Sequence, residues 1–136
     1  MVENVPPARV WEALKTDPKA QLVDVRTDAE WNFVGLPDLA SAGKQAVLIQ
    51  WQVYPSMQRN AAFEDQLKEA GFTPDHHIYF ICRSVQRSFA AAQAAQAAGF
   101  PYAYNVADGF EGATDPHGHR GIAAGWKAKG LPWRQL

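Results

Sequence analysis

A thiol that is to work as a nucleophile must ionise near neutral pH. The single cysteine of this 136-residue chain, Cys82, has neighbours that favour ionisation. It follows the apolar run Ile78-Tyr79-Phe80-Ile81 and precedes the polar stretch Arg83-Ser84-Val85-Gln86-Arg87-Ser88. The alanine-rich segment from Phe89 to Ala98 comes next. The pattern reads strand, tight loop, helix, with the thiol at the mouth of the loop. Backbone N–H groups of such a loop and of the first helical turn converge on the sulfur, while the helix dipole, Arg83 and Arg87 favour the anion. The expected result is a thiol pKa below the free value of about 8.5. The bland alternative is an inert cysteine packed as a small hydrophobe. The coincidence of strand end, cationic loop and helix start argues for the nucleophile.

The same loop offers partners for an anion. Arg83 and Arg87 are the candidate substrate-binding cations, and Ser84, Val85, Gln86 and Ser88 complete a ring of backbone donors. Arg87 is equally suited to a structural ion pair with Asp24 or Glu30, because arginine forks serve both purposes. Asp24, Arg26 and Glu30 near a strand end read as residues that tie down neighbouring loops rather than as general acids. His76-His77 are adjacent on an extended chain and point opposite ways, which makes them poor joint ligands. Asp115-Pro116-His117-Gly118-His119 is better spaced, but it lacks a third strong ligand and the usual metal spacings. No metal or organic cofactor is expected.

A one-cysteine chain holds no internal disulfide, and a lone thiol suits a reducing compartment. The N-terminal residues Met1 to Pro7 lack the basic start and apolar core of a signal peptide, so the expected location is the cytoplasm. No apolar run approaches the roughly 20 residues needed to span a bilayer. With 47% hydrophobic and 20% charged residues, the chain reads as one domain over 1–136 that buries a real core. Thirteen Lys and Arg against fourteen Asp and Glu give a net charge of -1, with no basic block of the kind that binds nucleic acid.

The elements that must position Cys82 are legible as alternating patterns. Pro7 to Lys15 predicts a helix, and Gln21 to Arg26 a buried strand. Thr27 caps a short turn beginning Asp28-Ala29-Glu30-Trp31. Ala46 to Trp51 predicts a strand, Asn60 to Ala70 a helix closed by Gly71, and Ile78 to Ile81 the strand before the cysteine. Ser88 to Ala98 predicts a helix, Tyr102 to Val106 a strand, 108–121 a long loop, and 122–129 a last short helix. Such alternation implies an α/β fold, a central mostly parallel sheet with helices on both faces. Ligands then bind beyond the carboxyl ends of the strands, where Cys82 lies. Trp11, Trp31 and Trp51 are expected in core or cleft packing, and Trp126 and Trp133 in packing the C-terminal segment onto the domain, the alternative being an exposed aromatic patch for a partner protein or a second subunit.

These residues resemble the rhodanese family of single-domain sulfurtransferases. The likeness rests on Leu22-Val23-Asp24-Val25-Arg26 with Glu30-Trp31, on Ile78 to Ser84 with Arg87-Ser88, and on Asn105-Val106-Ala107-Asp108-Gly109-Phe110 with the later Gly125-Trp126. It covers about residues 5–132. The resemblance implies a rhodanese-like fold, with Asp24, Arg26 and Glu30 supporting the active-site region. It also implies that Cys82 takes a sulfane sulfur from thiosulfate or a similar small anion, stores it as a persulfide and passes it to a thiol or protein acceptor. Related dual-specificity phosphatases place five residues between cysteine and arginine, whereas Arg83-Ser84-Val85-Gln86 are four, which favours sulfur over phosphate. Many rhodaneses carry glycine where this chain has Val85, a β-branched residue that tolerates positive φ badly. The reading from a different class is a low-turnover binding or redox-sensing module that presents Cys82 and the histidine loop to a partner.

Overall fold

The computed structural model describes residues 2–84, 86–120 and 124–135. Its centre is a five-stranded sheet built from β1 (Glu3–Val5), β2 (Ala20–Asp24), β4 (Val47–Leu48), β7 (His77–Ile81) and β8 (Ala103–Val106), in the order β1-β8-β7-β2-β4. All four pairings are parallel, so each return to the sheet needs a crossover. The helices α1 (Pro7–Thr16), α2 (Asp28–Phe33), α3 (Phe63–Glu69) and α4 (Gln86–Ala97) occupy those crossovers. Two short antiparallel pairs lie outside the sheet: β3 (Leu36–Pro37) with β9 (Trp133–Arg134), and β5 (Gln52–Val53) with β6 (Gln58–Arg59).

The central strand β7 shows why the pattern folds this way. Ile78, Phe80 and Cys82 face one layer, with Phe63 and Leu67 of α3 and Ala91, Ala92 and Ala95 of α4. Tyr79 and Ile81 face the other, with Val10 and Leu14 of α1 and the fully buried Trp126. A strand covered on both faces is apolar at every position, which is what Ile78 to Ile81 is. The small alanines let α4 lie close on the sheet. Its start is thereby held directly behind Cys82, and the α/β architecture with helices on both faces agrees with the expectation.

Element ends differ from the sequence reading in instructive ways. The strand expected over 46–51 is reduced to Val47–Leu48 at the sheet edge. Ile49 and Trp51 still donate backbone N–H groups to Asp24 and Val25, but the chain then leaves the sheet for the β5–β6 hairpin. The helix expected from Asn60 starts only at Phe63 because Asn60 is engaged elsewhere: Nδ2 donates to Gln50 O, and Oδ1 accepts from Ala62 N. Part of the helix expected over 122–129 lies outside the described residues. Residues 124–130 form bends and turns instead, with Gly125 and Gly130 at positive φ. Trp133 remains 40% exposed, but it meets the Phe110 ring edge-on and its strand pairs with β3, so the C-terminal segment is packed onto the domain as expected. Among the described residues, no helix is long and apolar enough to cross a membrane.

Candidate active site

Cys82 is the first residue past β7 and is 1% exposed. It sits at the floor of a cleft of about 640 Å³. The cleft walls come from α2, the β5–β6 hairpin, the cysteine loop and Glu111. Arg83, Ser84, Gln86 and Arg87 all line it. Val85 lies outside the described residues, and with it the question of positive φ in the loop. Arg83 is exposed and forms no ion pair among the described residues. Ser88, in the first turn of α4, is fully buried, and its Oγ lies 3.1 Å from Cys82 Sγ.

The backbone of the loop is anchored by the turn after β8. Phe110 N donates to Cys82 O at 2.8 Å, and Glu111 N and Gly112 N both donate to Arg83 O at 3.0 Å. Gly109 has φ +64, and a Cβ there would lie 2.5 Å from Ser84 O and 2.6 Å from Cys82 O. The close approach of the two backbones therefore requires glycine at this position.

Two ion pairs flank the site. Arg87 grips Glu30 through both guanidinium nitrogens, at 2.6 and 3.0 Å. Glu30 also closes a capping box at the start of α2, where its Oε1 accepts from Thr27 N and its own N–H bonds Thr27 Oγ1. Burial pushes the Glu30 carboxyl up, but the hydrogen bond and charge of Arg87, the Thr27 backbone and Arg26 together hold it below its ordinary value. Burial likewise pulls Arg87 down, and Glu30, then Cys82 and Asp24, more than reverse this. The second pair is Asp24 with Arg26, both fully buried, with Arg26 Nη2 2.7 Å from Asp24 Oδ2. The same nitrogen donates to Gly35 O at 2.6 Å, and the guanidinium lies 4.3 Å from the centre of the Phe110 ring.

Asp24 and Arg26 thus stand behind the cleft wall, whereas Glu30 and Arg87 form part of it. The histidine loop is held by its own aspartate. Asp115 Oδ1 accepts from the backbone N–H groups of His117 and His119, and both histidines are exposed. No three His, Cys, Asp or Glu side chains gather to hold a metal among the described residues.

Sequence reasoning missed several residues of the site. Phe33, Tyr54 and Met57 line the cleft and are 82%, 56% and 39% exposed, forming an apolar rim. No periodic signal marks a hairpin tip as a cleft wall. Asn105, quoted above only for the resemblance, and Asn4, beside it on β1, continue outward from Ser88 to the surface, and no local pattern marks either as part of the site.

Comparison with known proteins agrees with this geometry. The family described as "STR4 middle domain" matches residues 4–136. The chain is 36% identical to "Uncharacterized protein RP600" of Rickettsia prowazekii, over 98% of both chains. It is 31% identical to "Rhodanese-like domain-containing protein 4, chloroplastic" of Arabidopsis thaliana, over 88% of this chain but 23% of that protein. The crystal structure of Rv0390 from M. tuberculosis superposes with a TM-score of 0.89 at 45% identity, covering 99% of this chain and 98% of that one. Parallel sheet, cysteine at the end of its central strand and matching relatives converge: this chain belongs to the rhodanese-like family.

Proposed function

We propose that the protein is a sulfurtransferase that moves a sulfane sulfur through a persulfide on Cys82. The Cys82 thiolate attacks the outer sulfur of thiosulfate or a similar donor. In thiosulfate the S–S bond breaks with its electron pair on the departing sulfite, and Cys82–S–S⁻ remains. A thiolate acceptor then attacks the outer sulfur, leaves as a new persulfide and returns Cys82 to its thiolate. Each half-reaction exchanges one S–S bond for another, so it needs no external oxidant or reductant.

The observation that carries this reading is the position of Cys82: a buried thiol at the floor of an open cleft, between the end of β7 and the start of α4, with Arg83 beside it. The loop anchoring supports it as well. In a trans peptide the N–H points opposite to the preceding C=O. With the carbonyls of Cys82 and Arg83 turned to the 109–112 turn, the N–H groups of Arg83 and Ser84 are directed away from that turn. Such donors suit the negative terminal sulfur of a persulfide. Because Glu30 neutralises Arg87, we assign Arg83 as the cation that first meets the donor, and Arg87 as the residue that shapes the wall.

The deciding experiment is intact mass after incubating the reduced protein with thiosulfate, beside Cys82→Ser. A gain of about 32 Da on the native protein, removed by dithiothreitol and lacking in the variant, is the expected result. No gain with thiosulfate or any other sulfane donor would overturn the reading.

A further inference from the structure

The polar chain behind Cys82 is out of keeping with its surroundings. Ser88 and Asn105 are fully buried, on the face of the sheet that holds Phe80, Ala91, Ala92 and Ala103. Ser88 Oγ lies 3.1 Å from Cys82 Sγ and donates to Asn105 Oδ1 in a short hydrogen bond. Asn105 Nδ2 donates in turn to Asn4 Oδ1 at 2.8 Å. Parallel pairing of β1 with β8 sets Asn4 directly beside Asn105, and Asn4 is exposed. Buried polar groups are costly unless bonded, and apolar residues of similar shape at both positions would be close to neutral. A run of polar side chains from the surface to a sulfur atom calls for a reason beyond packing.

A hydroxyl carries one proton. While Asn105 Oδ1 takes that proton, the sulfur faces an oxygen lone pair, which suits an S–H thiol and opposes a thiolate. Were the Asn105 carboxamide turned end for end, its NH2 would donate to Ser88 and the hydroxyl proton would turn to the sulfur anion. We propose that Asn105, its carboxamide held by Asn4, is a positioning residue that sets the direction of the Ser88 hydroxyl and thereby the protonation of Cys82. The proposal rests on the reading of Cys82 as the nucleophile. The other charges facing Cys82 are Arg83 from the loop, Arg87 from α4, Asp24 paired with Arg26 at the end of β2, Glu30 from α2, and Glu111 from the turn after β8. All of them stay in place in the variants below.

The test is the pH dependence of thiolate absorbance and of iodoacetamide alkylation. It compares the native protein with Asn105→Val, Asn4→Ala, Ser88→Ala and the Ser88→Ala/Asn105→Val double variant. With one cysteine, each protein yields a single curve. Asn105→Val should lower the midpoint by about half to one pH unit, the order of one hydrogen bond to the sulfur. Asn4→Ala should lower it by less, and Asn105→Val should shift nothing when Ser88 is already alanine. A midpoint that neither Asn105→Val nor Asn4→Ala moves, or an equal shift without Ser88, would overturn the proposal. Should Asn105→Val fail to fold, Asn4→Ala changes only an exposed side chain, and an unmoved midpoint there overturns it as well. A purely structural role would lower thermal stability without coupling to Ser88. Because the readout is the thiol itself, absence of the persulfide in the mass experiment leaves this measurement intact.

Discussion

The two ion pairs around the cleft have the same chemistry and opposite settings. Asp24 and Arg26 are fully enclosed, and Arg26 also binds the Gly35 carbonyl and covers the Phe110 ring. Glu30 and Arg87 keep 16–20% of their side chains exposed and stand in the cleft wall. The first pair joins the end of β2 to the turns that close the site from behind. The second ties α2 to α4, and α2 has no buried residue of its own to hold it. Charge therefore braces the interior in one case and replaces packing in the other.

Breaking the enclosed pair should have the largest effect. Arg26→Met leaves the Asp24 carboxylate buried without its partner, a loss of about 3–5 kcal/mol readable by urea unfolding. Adding Asp24→Leu should recover much of that loss, since two apolar side chains leave no stranded charge. An equal or greater loss in the double variant would show that Arg26 acts mainly through Gly35 and Phe110. Arg87→Met should cost less, about 1–2 kcal/mol, between the ranges for exposed and enclosed pairs. It should also speed amide exchange across α2 while leaving β2 protected.

Acid should weaken the pair in the cleft wall. The folded state holds Glu30 below its ordinary carboxyl value of 4.5, so the stabilisation from its charge is present above that value. It is lost as the pH falls through the lower folded-state value. Glu30→Gln keeps a side chain able to serve the capping box but removes the charge. Its stability deficit should be constant above the ordinary value and close in acid, a trend measured by unfolding at stepped pH. A deficit independent of pH would assign the role of Glu30 to the cap alone. The smallest effect belongs to Phe33→Ser. With Phe33 82% exposed, stability should change by no more than about 0.5 kcal/mol, consistent with α2 being held by charge.

How much of this was legible in the sequence follows from the range of each interaction. The capping role of Thr27 lies within four residues, and the structure places a capping box there. The placement of Cys82 between strand and helix also follows local pattern, since apolar Ile78 to Ile81 and the alanines of α4 mark their own elements. Sequence left the partner of Arg87 open between Asp24 and Glu30, and the fold supplies Glu30 across 57 positions. The irregular path of 47–59 was hidden because Ala46 to Trp51 has the composition of a strand, while an edge position supplies only one neighbour to pair with.

Residue type and spacing by themselves determined the parallel α/β plan, the position of the thiol at a strand end and its family resemblance, because periodicity and capping act over a few residues. Tertiary structure alone decided which carboxylate meets which arginine, why residue 109 must be glycine, and that two asparagines far apart in the chain lead through Ser88 to Cys82. These contacts depend on the register of β1, β7 and β8 and on the seating of α4, and register is set by packing among distant segments rather than within any one of them.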